Sequence, residues 1–190
     1  MAYKDQPFLD AVAIASLDKM AEFEAQSLAN IAWTWATLQV ATDPLISAVA
    51  RHALHQRLIR PLPLTNLIWS LATLRSRWPL EAFATRVIAQ SSEYNPQQIA
   101  NTLWAIAKMS HQHQALLDCL LKCSAKRLGQ FDAQNLANIA WALATLQPKD
   151  DKHMPLLALL CDASLKHLHE FNAQNCANMA WSFAHLAIYE

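Results

Sequence analysis

An Asn followed three positions later by a Trp recurs five times in an apolar frame: Asn30 and Trp33, Asn66 and Trp69, Asn101 and Trp104, Asn138 and Trp141, Asn178 and Trp181. Successive Trp residues of this series are 36, 35, 37 and 40 positions apart. A period in that range belongs to stacked helix pairs, where each unit buries its apolar faces only against its neighbours. The chain is therefore expected to be all-α, a right-handed α-solenoid of about five helix-pair repeats of 35–40 residues. It reads as a single array over 1–190, with repeats at approximately 5–40, 43–76, 79–110, 113–148 and 153–190.

Composition excludes several alternatives. The one Gly among 190 residues removes Gly-rich phosphate loops and the dinucleotide fingerprint, so ATP- or NAD-dependent chemistry is not expected. Hydrophobic residues make up 54% of the chain, ample for a core. Apolar runs nevertheless break before the roughly 20 residues that a membrane span requires; Phe8 to Leu17 is interrupted by Asp10 and closed by Asp18. Neither a membrane segment nor a targeting signal is expected. Cys119, Cys123, Cys161 and Cys176 lie in apolar helical stretches with no Cys-x-x-Cys pair, which fits a reducing compartment. Cys119 and Cys123 share a helix face and could join His111 or His113 around a metal, but Cys at such positions more simply serves as a small buried hydrophobe. No metal and no other cofactor is expected.

Each unit begins with a helix, often opened by a proline: Pro7, Pro44, Pro79 and Pro155 precede their motif Asn by 23, 22, 22 and 23 residues. Proline at a first helical position lacks only a donor that would be unpaired anyway. These first helices are expected through Leu45 to Arg57, Leu80 to Ala89, Leu116 to Leu128 and Leu156 to Leu168. A short connection then ends in Phe23, Tyr94, Phe131 or Phe171, followed in the last three by Asn95, Asp132 or Asn172, residues suited to cap the second helix. The second helices are apolar almost all round, so neighbours must cover most of their surface.

One polar stripe interrupts them. Relative to the motif Asn it occupies position −4 (Gln26, Gln97, Gln134, Gln174), the Asn itself, +4 (Thr34, Ser70, Ser182) and +7 (Thr37, Thr73, Thr145). Ser27, Gln98, Asn135 and Asn175 widen it, whereas Leu62 and Pro63 break it in the second unit. The repeat resembles the octotricopeptide family, whose second helix carries the same kind of Leu-Ala-Asn-x-x-Trp-Ala-Leu-Ala-x-Leu run, and the related repeats of RAP-domain and FAST-kinase-like proteins. That resemblance implies RNA binding in organellar RNA processing, stability or translation, and hence a mitochondrial or chloroplast location. No RAP domain is visible in the sequence.

Helical-repeat readers present a few side chains per repeat to an unstacked base, and amides pair with base edges as donor and acceptor together. Base contacts are therefore expected from Gln26, Ser27, Gln97, Gln98, Gln134, Asn135, Gln174 and Asn175. The motif residues Asn30, Asn66, Asn101, Asn138 and Asn178 are expected to form a buried ladder, and Trp33, Trp69, Trp104, Trp141 and Trp181 to pack between helices. Trp35 and Trp78 stand outside that series.

Net charge is zero, yet it is unevenly distributed: −4 over residues 1–50, +7 over 51–130 and −3 over 131–190. Arg57, Arg60, Arg86, Lys122, Lys126, Arg127 and Lys166 fall near the ends of first helices and are expected phosphate contacts; cations there would also offset helix dipoles. No His-Glu-x-x-His frame or nucleophile stands out, and Asp150-Asp151 lies in a polar connection. The neighbouring His52 and His55 are the nearest approach to an acid–base pair, but no catalytic residues are assigned and no enzymatic activity is expected. Single-stranded RNA is the expected partner. The alternative is a protein-binding scaffold, because solenoids present extended surfaces to peptides and helices. The final segment, Ser182 to Glu190, follows directly on an inner-type helix. Further repeats or end-to-end association of copies are expected to cover it.

Overall fold

The computed structural model describes residues 4–40, 43–56, 58–76, 80–110, 113–146 and 154–187. Among these residues the protein is all-helical, with no strand. Its α-helices are α1 (Gln6–Asp18), α2 (Ala25–Leu38), α3 (Asp43–His55), α4 (Pro61–Thr73), α5 (Leu80–Ala89), α6 (Pro96–Lys108), α7 (Gln114–Ala125), α8 (Ala133–Leu146), α9 (Met154–Lys166) and α10 (Ala173–Ala187). No helix among them is long and apolar enough to cross a membrane. The chain divides into two compact units, Met1–Phe83 and Ala84–Glu190.

In the first unit α2 lies along α4, and α3 packs on α1 and α2. In the second, α8 lies between α6 and α10, α7 packs on α6 and α9, and α9 packs on α8. Second helices of successive repeats are thus the closest neighbours within each unit. The Ala-rich sequence of α8 explains this: Ala133, Ala137, Ala140, Ala142 and Ala144 are all buried and project nothing beyond Cβ to hold a neighbour away. Leu136, Ile139 and Leu143, each at most 1% exposed, fill the remaining space. With α8 against it, α10 buries Asn175 and Ser182 but leaves Ala173, Cys176, Ala177, Ala180 and Ala184 exposed.

First helices end earlier than helical periodicity alone indicates. Expected through Arg57, Leu128 and Leu168, they close at His55, Ala125 and Lys166; Arg57 itself lies outside the described residues. A 3₁₀ turn follows in four repeats, at Met20–Glu22, Ser91–Glu93, Leu128–Gln130 and Leu168–Glu170. This tighter winding turns the chain so that the residue after it drops inward. Tyr94 is 0% and Phe131 1% exposed there, while Phe23 and Phe171 are partly exposed. In the second repeat Ile59 takes this place, 2% exposed and seven residues before Asn66, as Tyr94 is before Asn101. No aromatic marks the position in this repeat, so only its spacing identifies it.

Helix starts follow the expected capping chemistry. Asn95 accepts from the Gln98 amide at 2.9 Å while the Gln98 side chain accepts from the Asn95 amide at 3.0 Å, a complete capping box on α6. Asp132 accepts from Asn135 N at 2.7 Å and Asn172 from Asn175 N at 2.9 Å. His113 Nδ1 accepts from Leu116 N at 3.1 Å, so this imidazole caps α7. His111 lies outside the described residues. Replacing Asn95 by Ala is expected to lower stability by about 1 kcal/mol, read as a lower urea midpoint at unchanged slope.

The second helices α2, α4 and α6 close on left-handed residues that are not Gly: Gln39 (φ 53°), Arg75 (φ 53°) and Ser110 (φ 52°). Val40 N donates to Trp35 O and Ser76 N to Leu71 O, the six-residue closure of a Schellman motif, with Val40 buried as its apolar contact. The chain's one Gly, Gly129, is in a 3₁₀ turn instead.

Candidate functional site

The solvent-facing strip of the second helices is displaced by one position from the stripe expected. At 3.6 residues per turn, positions −4, 0, +3 and +7 fall within about 60° of arc, and +4 lies beyond its edge. Ser70 and Ser182, both at +4, are 0% exposed, and their hydroxyls donate to Asn66 O and Asn178 O at 2.6 Å each. Thr34 does the same to Asn30 O at 2.9 Å. These hydroxyls are satisfied by their own helices, and those of Ser70 and Ser182 face inward. Position +3, the Trp, takes their place on the surface.

This corrects two expectations. The motif Asn residues do not form a buried ladder: Asn30 is exposed, and Asn66, Asn101, Asn138 and Asn178 are partly exposed. Two of their amides meet the Gln at −4, with Gln26 Nε2 donating to Asn30 Oδ1 at 3.0 Å and Gln174 Nε2 to Asn178 Oδ1 at 2.9 Å. The Trp residues are not fully enclosed either. Trp33 is 49% and Trp181 45% exposed, with Trp69, Trp104 and Trp141 partly so. A chain-internal repeat shows that a position matters to the unit without showing which way it faces. Trp35 is the indole that belongs to the core, at 3% exposed; Trp78 lies outside the described residues.

In the second unit the repeated register brings the indoles together. Ring centroids of Trp104 and Trp141 are 6.2 Å apart and those of Trp141 and Trp181 6.5 Å, both pairs inclined at 34°. The +7 residues attend the row. Lys108 Nζ lies 5.5 Å from the Trp104 centroid, and the His185 ring stacks on Trp181 at 4.7 Å and 14°. Thr145, in the same register on α8, donates to Trp141 O at 2.8 Å.

The eight expected base-contact residues separate into two sets. Gln26, Gln97, Gln134 and Gln174 are exposed. Gln98 (8%), Asn135 (5%) and Asn175 (5%) are buried and Ser27 is partly exposed, because the third residue of a helix, still in its first turn, faces back toward the capping residue. Among the expected phosphate contacts, Arg60, Lys122, Lys126 and Lys166 are exposed and Arg86 is partly exposed. Arg60 shares a cleft with Gln26 in the first unit, lined also by Glu24, Gln56, Leu62 and Pro63. Lys122 lies instead between the first helices α7 and α9, beside Asp118, Leu121 and Leu159.

Arg127 is engaged elsewhere. Its guanidinium donates to Tyr94 O and to Ser92 O, the latter at 2.8 Å. It thereby ties the turn of its own repeat to that of the preceding one. Gln56 makes an equivalent bond in the first unit, its Nε2 donating to Phe23 O at 3.1 Å. Cys119, Cys123 and Cys161 are partly exposed, and burial, with Asp162 adding to it, pushes the Cys161 thiol up. No cluster of His, Cys, Asp or Glu suited to a metal ion occurs among the described residues.

The indole row runs across α6, α8 and α10, each of which also carries an exposed Gln. Residues 79–152 match the family of the RNA-editing substrate-binding complex 6 protein. That stretch carries Gln97, Asn101, Trp104, Gln134, Asn138 and Trp141, two successive copies of the strip. No curated protein matches the chain.

Proposed function

We propose that this protein binds single-stranded RNA through the exposed strip of its second helices, with Gln26, Gln97, Gln134 and Gln174 reading base edges. The observation that carries the reading is the recurrence of an exposed Gln at one register of α2, α6, α8 and α10. A Gln–Asn pair offers donors and acceptors together, which an unstacked base can match on its Watson–Crick or Hoogsteen edge. The similarity of residues 79–152 to an RNA-editing substrate-binding complex protein supports the ligand class. Arg60, which shares the Gln26 cleft, and the exposed Lys126 and Lys166 at the ends of first helices are the proposed phosphate contacts.

Each unit is proposed to be a stretch of right-handed α-solenoid, the architecture that keeps one register facing one way repeat after repeat. In this reading the protein is a binding module without catalysis of its own, and the resemblance of its repeat to the octotricopeptide family supports a role in organellar RNA processing, stability or translation.

The test is fluorescence anisotropy with randomised single-stranded RNA over a salt series, comparing the protein with a variant in which Gln97, Gln134 and Gln174 are all Ala. The expected result is a changed base preference and a loss of about 1 kcal/mol for each amide whose bonds are removed. The slope of log affinity against log salt should stay constant, because the amides neutralise no phosphates. A folded sample that binds no RNA at low salt would overturn the proposal in favour of a protein-binding scaffold.

A further inference from the structure

Resting on the RNA reading above, we infer that Trp104, Trp141 and Trp181 form a stacking platform for the bases of a single strand, with Lys108 and His185 as cationic and aromatic extensions of it. Three independent features point there. The indoles reach the surface: Trp181 is 45% exposed on a helix that buries Asn175 and Ser182, and Trp104 and Trp141 are partly exposed. They are also spaced regularly, 6.2 and then 6.5 Å, at a constant inclination of 34°. That step is roughly twice the 3.4 Å rise of a stacked strand, so a strand following the row would be extended with its bases apart. Unstacked bases are the ones free to take an aromatic partner. Finally, the exposed Gln97, Gln134 and Gln174 share the solvent-facing side of their helices with these indoles, seven residues and about 10 Å earlier, where a nucleotide stacked on the row would extend toward their amides.

The chemistry divides between the two kinds of residue. Every base has a π face, so the Trp row supplies affinity with little regard to sequence. The residues at +7 differ from repeat to repeat, with Lys108 against Trp104, Thr145 below Trp141 and His185 against Trp181. Lys108 lies close enough to its indole to pair with the phosphate of a base stacked there. A peptide ligand would use the indoles as an apolar patch and gain little from regular spacing or from this edge of amides.

The test uses the full chain and a fluorescein-labelled oligouridylate of twelve nucleotides, with Trp141→Leu, Trp181→Leu and Trp141→Phe as variants. Each Leu variant should weaken binding about 10- to 100-fold, as expected for the loss of one stacked base, with an unchanged salt slope. Trp141→Phe, which keeps an aromatic face, should retain most of the affinity. In the unaltered protein, the same RNA carrying 5-iodouridine should photo-cross-link to these indoles, a readout that survives if a Leu variant fails to fold. If the folded Leu variants bind as the unaltered protein does, while the triple Gln variant is impaired, the platform is wrong and the amide reading stands. Absence of RNA binding by the unaltered protein would remove both.

Discussion

Replacing Phe131 by Ala is expected to be the most damaging single change in the second unit, costing about 3–5 kcal/mol. Phe131 is 1% exposed and sits between the 3₁₀ turn Leu128–Gln130 and the capping residue Asp132. Its ring is the point at which the chain reverses from α7 into α8, so its loss opens a cavity beneath the start of the helix that contacts both α6 and α10. Close packing leaves little room for the surroundings to collapse into that void. A urea titration followed by circular dichroism measures the change, and Phe171→Ala is the control. Phe171 occupies the same register before α10 but is partly exposed, so a smaller loss is expected there. Equal losses at the two sites would mean that burial does not govern this position.

The second large effect is expected at Arg127. As a surface phosphate contact it could be removed with little change in stability. As a clamp on Tyr94 O and Ser92 O its replacement by Ala costs about 1.5–3 kcal/mol, the range for hydrogen bonds from a charged donor. Arg127→Lys is expected to recover only part of this, since an ammonium cannot reproduce the planar fork that serves two carbonyls at once. The salt dependence of RNA binding separates the two roles. A phosphate contact removed from a single strand lowers the slope by about 0.7, whereas loss of the clamp lowers the melting temperature and leaves the slope in place.

Arg127 shows why a row of cations is hard to interpret from sequence. Arg57, Arg60, Arg86, Lys122, Lys126, Arg127 and Lys166 fall near the expected ends of first helices in the sequence, and that placement alone makes phosphate contact reasonable for all of them. Their surroundings differ once the chain is folded. Arg60 reaches a cleft with Gln26, Lys122 borders an apolar groove between α7 and α9, and Arg127 is taken up by backbone carbonyls about one repeat earlier in the chain. Partners so distant in sequence carry no local signal. The same holds for Ile59, which fills the buried turn position where other repeats carry Phe or Tyr. It was legible only through its constant distance of seven residues from the motif Asn.

The helices, their approximate bounds, the repeat period and the capping by Asn95, Asp132 and Asn172 follow from the sequence, because each depends on residues within one or two turns of one another. The exposure of the Gln row was legible too, from its period along the second helix. Which neighbouring positions face water was decided by packing. On an isolated helix +3 and −3 lie about 120° apart around the axis, and +4 and −4 about 80° apart, on neighbouring columns of the same surface. The close approach of the Ala-rich helices in each unit turned Ser70, Ser182, Gln98, Asn135 and Asn175 inward and left the motif Asn and Trp residues toward solvent. The indole row at 6.2 and 6.5 Å is a product of that tertiary choice. Repetition in the chain determined that every repeat would present the same column of side chains; the surfaces buried between helices decided which column it would be.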